Sequence, residues 1–98
     1  MRPTAELVTA AQAGDQSAFA DLVRRYERVV TATAWSVLHD FHAAQDVAQE
    51  SFVKAFAHLA SLRSPDAFGS WLLMLVSREA VRRAKQIRPL VSLEVVEQ

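Results

Sequence analysis

The scarcity of helix breakers constrains this chain most. Only two glycines and three prolines occur in 98 residues, and the few interruptions divide the sequence into helix-length segments. Gly14 follows a short stretch carrying Leu7, Val8 and Ala11, with Thr4 as its expected N-cap and Gly14 as a natural stop. Asp15 or Ser17 caps a longer segment in which Phe19, Leu22, Val23, Tyr26, Val30, Ala34, Val37 and Leu38 recur with helical spacing. His39-Asp40-Phe41 breaks that pattern, and Asp40 is the expected N-cap of a third helix from about His42 to Ala60. Ser64-Pro65-Asp66 starts a fourth, with Ser64 as N-cap, Pro65 at the first helical position and Asp66 in the first turn. This helix runs to about Gln86 and is ended by Arg88-Pro89. Short connections make antiparallel neighbours. The expected fold is all-α, a compact bundle of about four helices in residues 1–88. Residues 89–98 read as a linker or tail toward a C-terminal domain outside this chain.

Composition supports one ordered domain. Hydrophobic residues make up 51% of the chain, which argues against disorder. The absence of cysteine excludes a disulfide framework and a Cys-based zinc site, and fits a cytoplasmic location. The longest apolar run, Trp71 to Val76, is far shorter than the roughly 20 residues a membrane span needs. No nucleophile elbow, Ser-His-Asp pattern or glycine-rich phosphate loop is present, so an enzyme is not expected and no cofactor is implied. His42, Asp46 and Glu50 share a helix face, but one helix supplies too few convergent ligands for a metal.

Two surfaces carry functional signals. On the third helix Ala44, Ala48, Phe52, Ala55, Phe56, Leu59 and Leu62 form the expected core arc, with Phe52 and Phe56 facing the fourth helix. Asp46, Gln49, Glu50 and Val53 occupy the opposite arc, an acidic and amide stripe without Lys or Arg. Such a stripe is either an ordinary solvated face or a docking surface for a basic partner. Arg24, Arg25 and Arg28 read as a solvated face partly paired with Asp21 and Glu27, and Trp35 as core or rim. The fourth helix is apolar all round from Trp71 to Val76, then turns basic. Its Arg78, Arg82 and Lys85 continue the flank begun by Trp71 and Met74, a cluster larger than helix-dipole effects require. The equal count of 11 basic and 11 acidic side chains argues against strong autonomous DNA binding, so local charge governs what this end attracts.

The run Asp46-Val47-Ala48-Gln49-Glu50-Ser51-Phe52, followed by Phe68-Gly69-Ser70-Trp71-Leu72, resembles region 2 of bacterial sigma factors, closest to the extracytoplasmic-function group. The resemblance spans roughly Asp15 to Lys85. It implies a helical transcription initiation module that binds the β′ clamp helices of RNA polymerase and recognises and helps open the minus-ten promoter element. By position, Asp46, Gln49, Glu50 and Val53 match the polymerase-binding helix. Arg63, Ser64, Pro65 and Asp66 match the loop that captures an unstacked base of the non-template strand. Trp71, Met74, Arg78, Arg82 and Lys85 lie on the helix that tracks promoter DNA. An anti-sigma factor is a further partner the family admits, and no membrane is implied. Gln45, Met74, Arg78 and Arg82 depart from the family pattern, three of them on the DNA-tracking helix, where they bear on promoter preference. The alternative is a helical protein-interaction domain that makes no direct contact with DNA.

Overall fold

The computed structural model describes residues 1–87, and within them every regular element is helical. Helix α1 spans Thr4–Gln12, α2 Gln16–Leu38, α3 Phe41–His58 and α4 Phe68–Ile87, with single 3-10 turns at Leu59–Ser61 and Pro65–Ala67. The expected tail at 89–98 lies outside the described residues. No described helix is long and apolar enough to cross a membrane.

Local chemistry explains most boundaries. The Asp15 carboxylate accepts the Ala18 N–H at 3.1 Å and starts α2; Asp40 does the same for α3 through Ala43 N–H at 3.1 Å. Gly14, at φ +103°, turns the chain out of α1 where a Cβ would be strained. His39 closes α2 in the left-handed conformation, its ring edge-on to Trp35. Two expected caps fail. Thr4 is already helical, and its hydroxyl instead accepts from Arg25 Nη1 at 3.1 Å and lies 3.4 Å from the Tyr26 hydroxyl. Ser64 occupies the cap position of the second 3-10 turn without a side-chain bond, so α4 proper begins at Phe68 rather than Pro65.

Helix α2 packs against all three others, and α3 and α4 pack on each other. Along α4 the fully buried residues are Phe68, Leu72, Val76 and Ala80, spaced four apart. Phe68 meets Tyr26 edge to face at 5.4 Å. Gly69 leaves room for the Tyr26 hydroxyl, which a Cβ there would approach to 3.2 Å. The core arc of α3 is rotated from the expected one: Val47 and Ser51 are fully buried together with Ala44 and Ala55. Phe52 is buried but lines a groove against Val23 and Glu27 of α2. Phe56 is 52% exposed and meets Phe19 of α2 edge to face at 4.9 Å. Both phenylalanines therefore face α2, contrary to the sequence expectation. The reason is angular. Two helices flank α3, and the line between them falls on Val47, Ser51 and Ala55, which displaces Phe56 to the rim.

The contrast is measurable by urea unfolding. Phe68→Ala removes a fully buried ring and should cost about 3–5 kcal/mol. Phe56→Ala removes chiefly one edge-to-face pairing and should cost about 1 kcal/mol. Comparable destabilisation at the two positions would contradict this packing.

Candidate functional site

The acidic stripe of α3 lies on the surface as expected, with Asp46, Gln49 and Glu50 exposed and Val53 68% exposed. It is not free of cations. Arg83 reaches across from α4, placing Nη2 3.2 Å from Asp46 Oδ2 and Nη1 3.9 Å from Glu50 Oε1. Residues 46 and 83 are far apart in sequence, and only the antiparallel pairing of α3 with α4 brings them together. The carboxylates keep 62% and 52% of their side-chain surface, so each remains available to a second cation. On the α2 side, Gln45, Asp46 and Gln49 border a groove with Glu27 and Thr31. That groove adjoins a more apolar one lined by Trp35 and Phe41, which places Trp35 on the rim.

A second ion cluster locks the middle of the α3–α4 contact. Glu79 accepts from Lys54 Nζ at 2.5 Å and from Arg82, and only 12% of its side chain is exposed. Burial pushes its carboxyl up, but the hydrogen bonds and charges of Lys54 and Arg82 outweigh this and hold it below its ordinary value of 4.5. Arg82 is therefore partly neutralised within the fold, which sequence position alone did not reveal. Among the described residues, Arg78 and Lys85 make no ion pair.

The flank of α4 is continuous in space. Trp71, Met74 and Arg78 line one groove with Lys54, His58 and Ser61 of the neighbouring segment. Arg78, Arg82 and Lys85 line the next, with Val81 between them. The expected apolar wrap from Trp71 to Val76 is incomplete: Leu72 and Val76 are buried, whereas Met74 is 51% exposed and opens this side to solvent. Aromatic and apolar surface beside Arg78 and Lys85 suits stacking on bases while holding phosphates. Ser61 brings the groove close to the connecting loop, where Arg63, Ser64 and Asp66 are exposed and Pro65 is partly buried. The Ser64 hydroxyl caps nothing and stays available to a ligand. The same loop is tied from behind by Gln12 of α1, whose Nε2 donates to the carbonyls of Leu59 at 3.0 Å and Leu62 at 2.9 Å.

Comparison of the sequence with known proteins finds a matching family and relatives. The Sigma-70 region 2 profile matches residues 22–88. The RNA polymerase sigma-H factor of Pseudomonas aeruginosa is 39% identical over 75 residues, covering 76% of this chain and 39% of that protein. The ECF RNA polymerase sigma factor SigW of Bacillus subtilis is 32% identical over 76 residues, covering 78% and 41%. The ECF RNA polymerase sigma-E factor of Escherichia coli is 43% identical over 79 residues, covering 81% and 39%. The chain thus spans about two fifths of the length of these three relatives.

The Glu79 cluster predicts an acid response. Because the folded carboxyl is held below 4.5, its stabilisation is fully present above the unfolded value and is lost as pH falls through the folded one. Asp15 acts in the same direction, its carboxyl lowered by hydrogen bonds from Ser17 and the Ala18 N–H. Thermal unfolding of wild type and Glu79→Gln across pH should show wild type more stable at pH 7 and the two converging below about 4. A gap independent of pH would remove the cluster from this account.

Proposed function

This chain belongs to the sigma-70 region 2 family, and from that premise we propose that it is the part of a transcription initiation factor that joins RNA polymerase to the minus-ten promoter element. It is a binding module and not an enzyme, and its site of action is the cytoplasm, where polymerase and promoter meet. The observation that carries this reading is the division of the surface. One exposed edge, on α3, is acidic with a protruding valine, and another, on α4, is aromatic and basic. One domain thereby offers unlike chemistries to two partners at once.

On the polymerase side, Asp46 and Glu50 would accept cations of the β′ clamp helices, with Gln49 hydrogen bonding beside them and Val53 filling an apolar contact. Arg83 already hydrogen-bonds Asp46 and lies beside Glu50, so part of the ordering cost at Asp46 is met within the free domain. On the DNA side, Arg63, Ser64, Pro65 and Asp66 would receive a base of the non-template strand. Trp71 and Met74 would stack or pack against neighbouring nucleotides, and Arg78, Arg82 and Lys85 would follow the phosphates. Opening a duplex costs unstacking energy, which binding to the released strand offsets. The basic residues act locally, because the chain as a whole has no net charge.

Two measurements test the two edges separately. In titrations against a β′ clamp-helix fragment, Asp46→Ala with Glu50→Ala should weaken binding by about 2 kcal/mol, with helical content unchanged. Wild-type affinity in this double variant would remove the α3 edge from the proposal. Fluorescence anisotropy on labelled single strands across a salt series should show weak binding that is favoured over duplex. Arg78→Ala with Lys85→Ala should lower affinity for every strand and reduce the salt slope by about 0.7 for each phosphate no longer neutralised. Arg82→Ala should do less, since Glu79 already neutralises that side chain in part. If the double variant bound DNA like wild type, a protein-interaction role without DNA contact would become the better reading.

A further inference from the structure

We infer that Gln12, on the helix preceding the family-matched region, is a positioning residue that sets the base-contacting loop for sequence discrimination. The inference rests on the reading of Arg63 to Asp66 as that loop. The match to the family begins at residue 22, so α1 lies ahead of it, yet α1 packs directly against the second 3-10 turn at Pro65–Ala67. Its last residue makes the polar link. Both partners of the Gln12 side chain are carbonyl oxygens, so only the amide nitrogen, with its two N–H donors, can face them. One donor goes to Leu59, the first residue of the first 3-10 turn, and the other to Leu62, just past that turn. Leu59 O also accepts the Leu62 N–H at 3.1 Å. The first 3-10 turn, Leu59–Ser61, is thus closed on itself and clamped at both ends by one side chain.

The far end of α1 is fixed independently. Thr4 contacts Arg25 and Tyr26, and Leu7 and Val8 are buried in the core. Tyr26 in turn lies over Gly69 and Phe68 at the start of α4. Helix α1 is therefore a strut anchored on the core at one end and on the loop at the other. Between Leu62 and Phe68 the loop's own backbone bonds sit at its far end, in the second 3-10 turn: Ala67 N–H to Ser64 O at 2.9 Å and Phe68 N–H to Pro65 O. The end next to Leu62 therefore takes its geometry from what braces it, and base selection depends on geometry more than on charge.

The test compares Gln12→Leu, which keeps the bulk and removes both donors, with Gln12→Lys, whose ammonium can donate to the same two carbonyls. Two readouts are taken on the full chain. The first is amide hydrogen exchange at Leu62 and Ala67, with Val30 as a core control. The second is the affinity ratio among short labelled oligo-dT strands carrying a single dA, dC or dG. Gln12→Leu should speed exchange at Leu62 and Ala67 by about tenfold, leave Val30 unchanged, and bring the affinity ratios toward one while average affinity falls less than about twofold. Gln12→Lys should restore both. Unchanged exchange at the loop in Gln12→Leu would overturn the clamp. Faster loop exchange with intact base ratios would reduce Gln12 to a stabilising contact and overturn its positioning role. Wild type that treated every strand alike would sink the base-contact reading, and the role of Gln12 with it, whatever the exchange rates showed.

Discussion

The fold depends on how α4 seats itself against the α2–α3 pair. Its buried stripe runs Phe68, Leu72, Val76, Ala80, each fully buried and each smaller than the one before. The large end fills the space beside Tyr26, and the stripe narrows to an alanine toward the other end of α4. Ala34, Ala44 and Ala55 are all fully buried. Beside this narrow stripe with a period of four, Trp71, Leu73 and Leu75 pack on the margin of the core, while Met74, Arg78 and Lys85 face outward. That geometry is why Trp71, Met74, Arg78 and Lys85 can form a second edge on a helix whose central segment is almost entirely apolar.

Electrostatics on this scaffold couple the two edges without merging them. Of the α4 cations, Arg83 turns inward to the α3 carboxylates and Arg82 is shared with Glu79, while Lys54 crosses from α3 to the same glutamate. Surface pairs such as Arg83–Asp46 contribute little to stability, of order 0–1 kcal/mol. Their value lies in orientation: Asp46 is tied to α4 while keeping most of its surface exposed, and Arg82 and Arg83 are drawn into ion pairs, leaving Arg78 and Lys85 as the cations of the basic edge without a pair among the described residues. A protein with no net charge thereby presents an acidic surface and a basic one within a single helical pair.

Much of this was legible in the sequence because it is local. Asp15, Asp40 and Gly14 act through groups only a few residues away, so their roles follow from spacing. Periodicity also placed the acidic stripe outside and, on α2, Leu22, Val30 and Ala34 inside. It failed at Phe56, because residue type favoured the aromatic over Ser51 as a core position, whereas the space between two flanking helices demanded a small side chain. The Ser51 hydroxyl is fully buried and has no hydrogen-bond partner among the described residues, a cost of about 1–3 kcal/mol that no propensity scale would recommend. The contacts of Arg83 with Asp46 and of Gln12 with Leu59 and Leu62 were illegible for a different reason. Each joins segments 37 to 50 residues apart, and nothing in local spacing encodes such a meeting.

The central claim is that one small bundle holds two separate binding edges, one for polymerase and one for single-stranded DNA. Chemical-shift mapping on isotope-labelled chain tests it directly, with a β′ clamp-helix fragment and a single strand added separately and then together. The account predicts that the fragment perturbs the 45–53 segment of α3, that the strand perturbs the 63–66 loop and the 71–85 flank of α4, and that both sets persist when both partners are present. Perturbations that fell on one shared surface, or a strand displaced by the clamp-helix fragment, would contradict it.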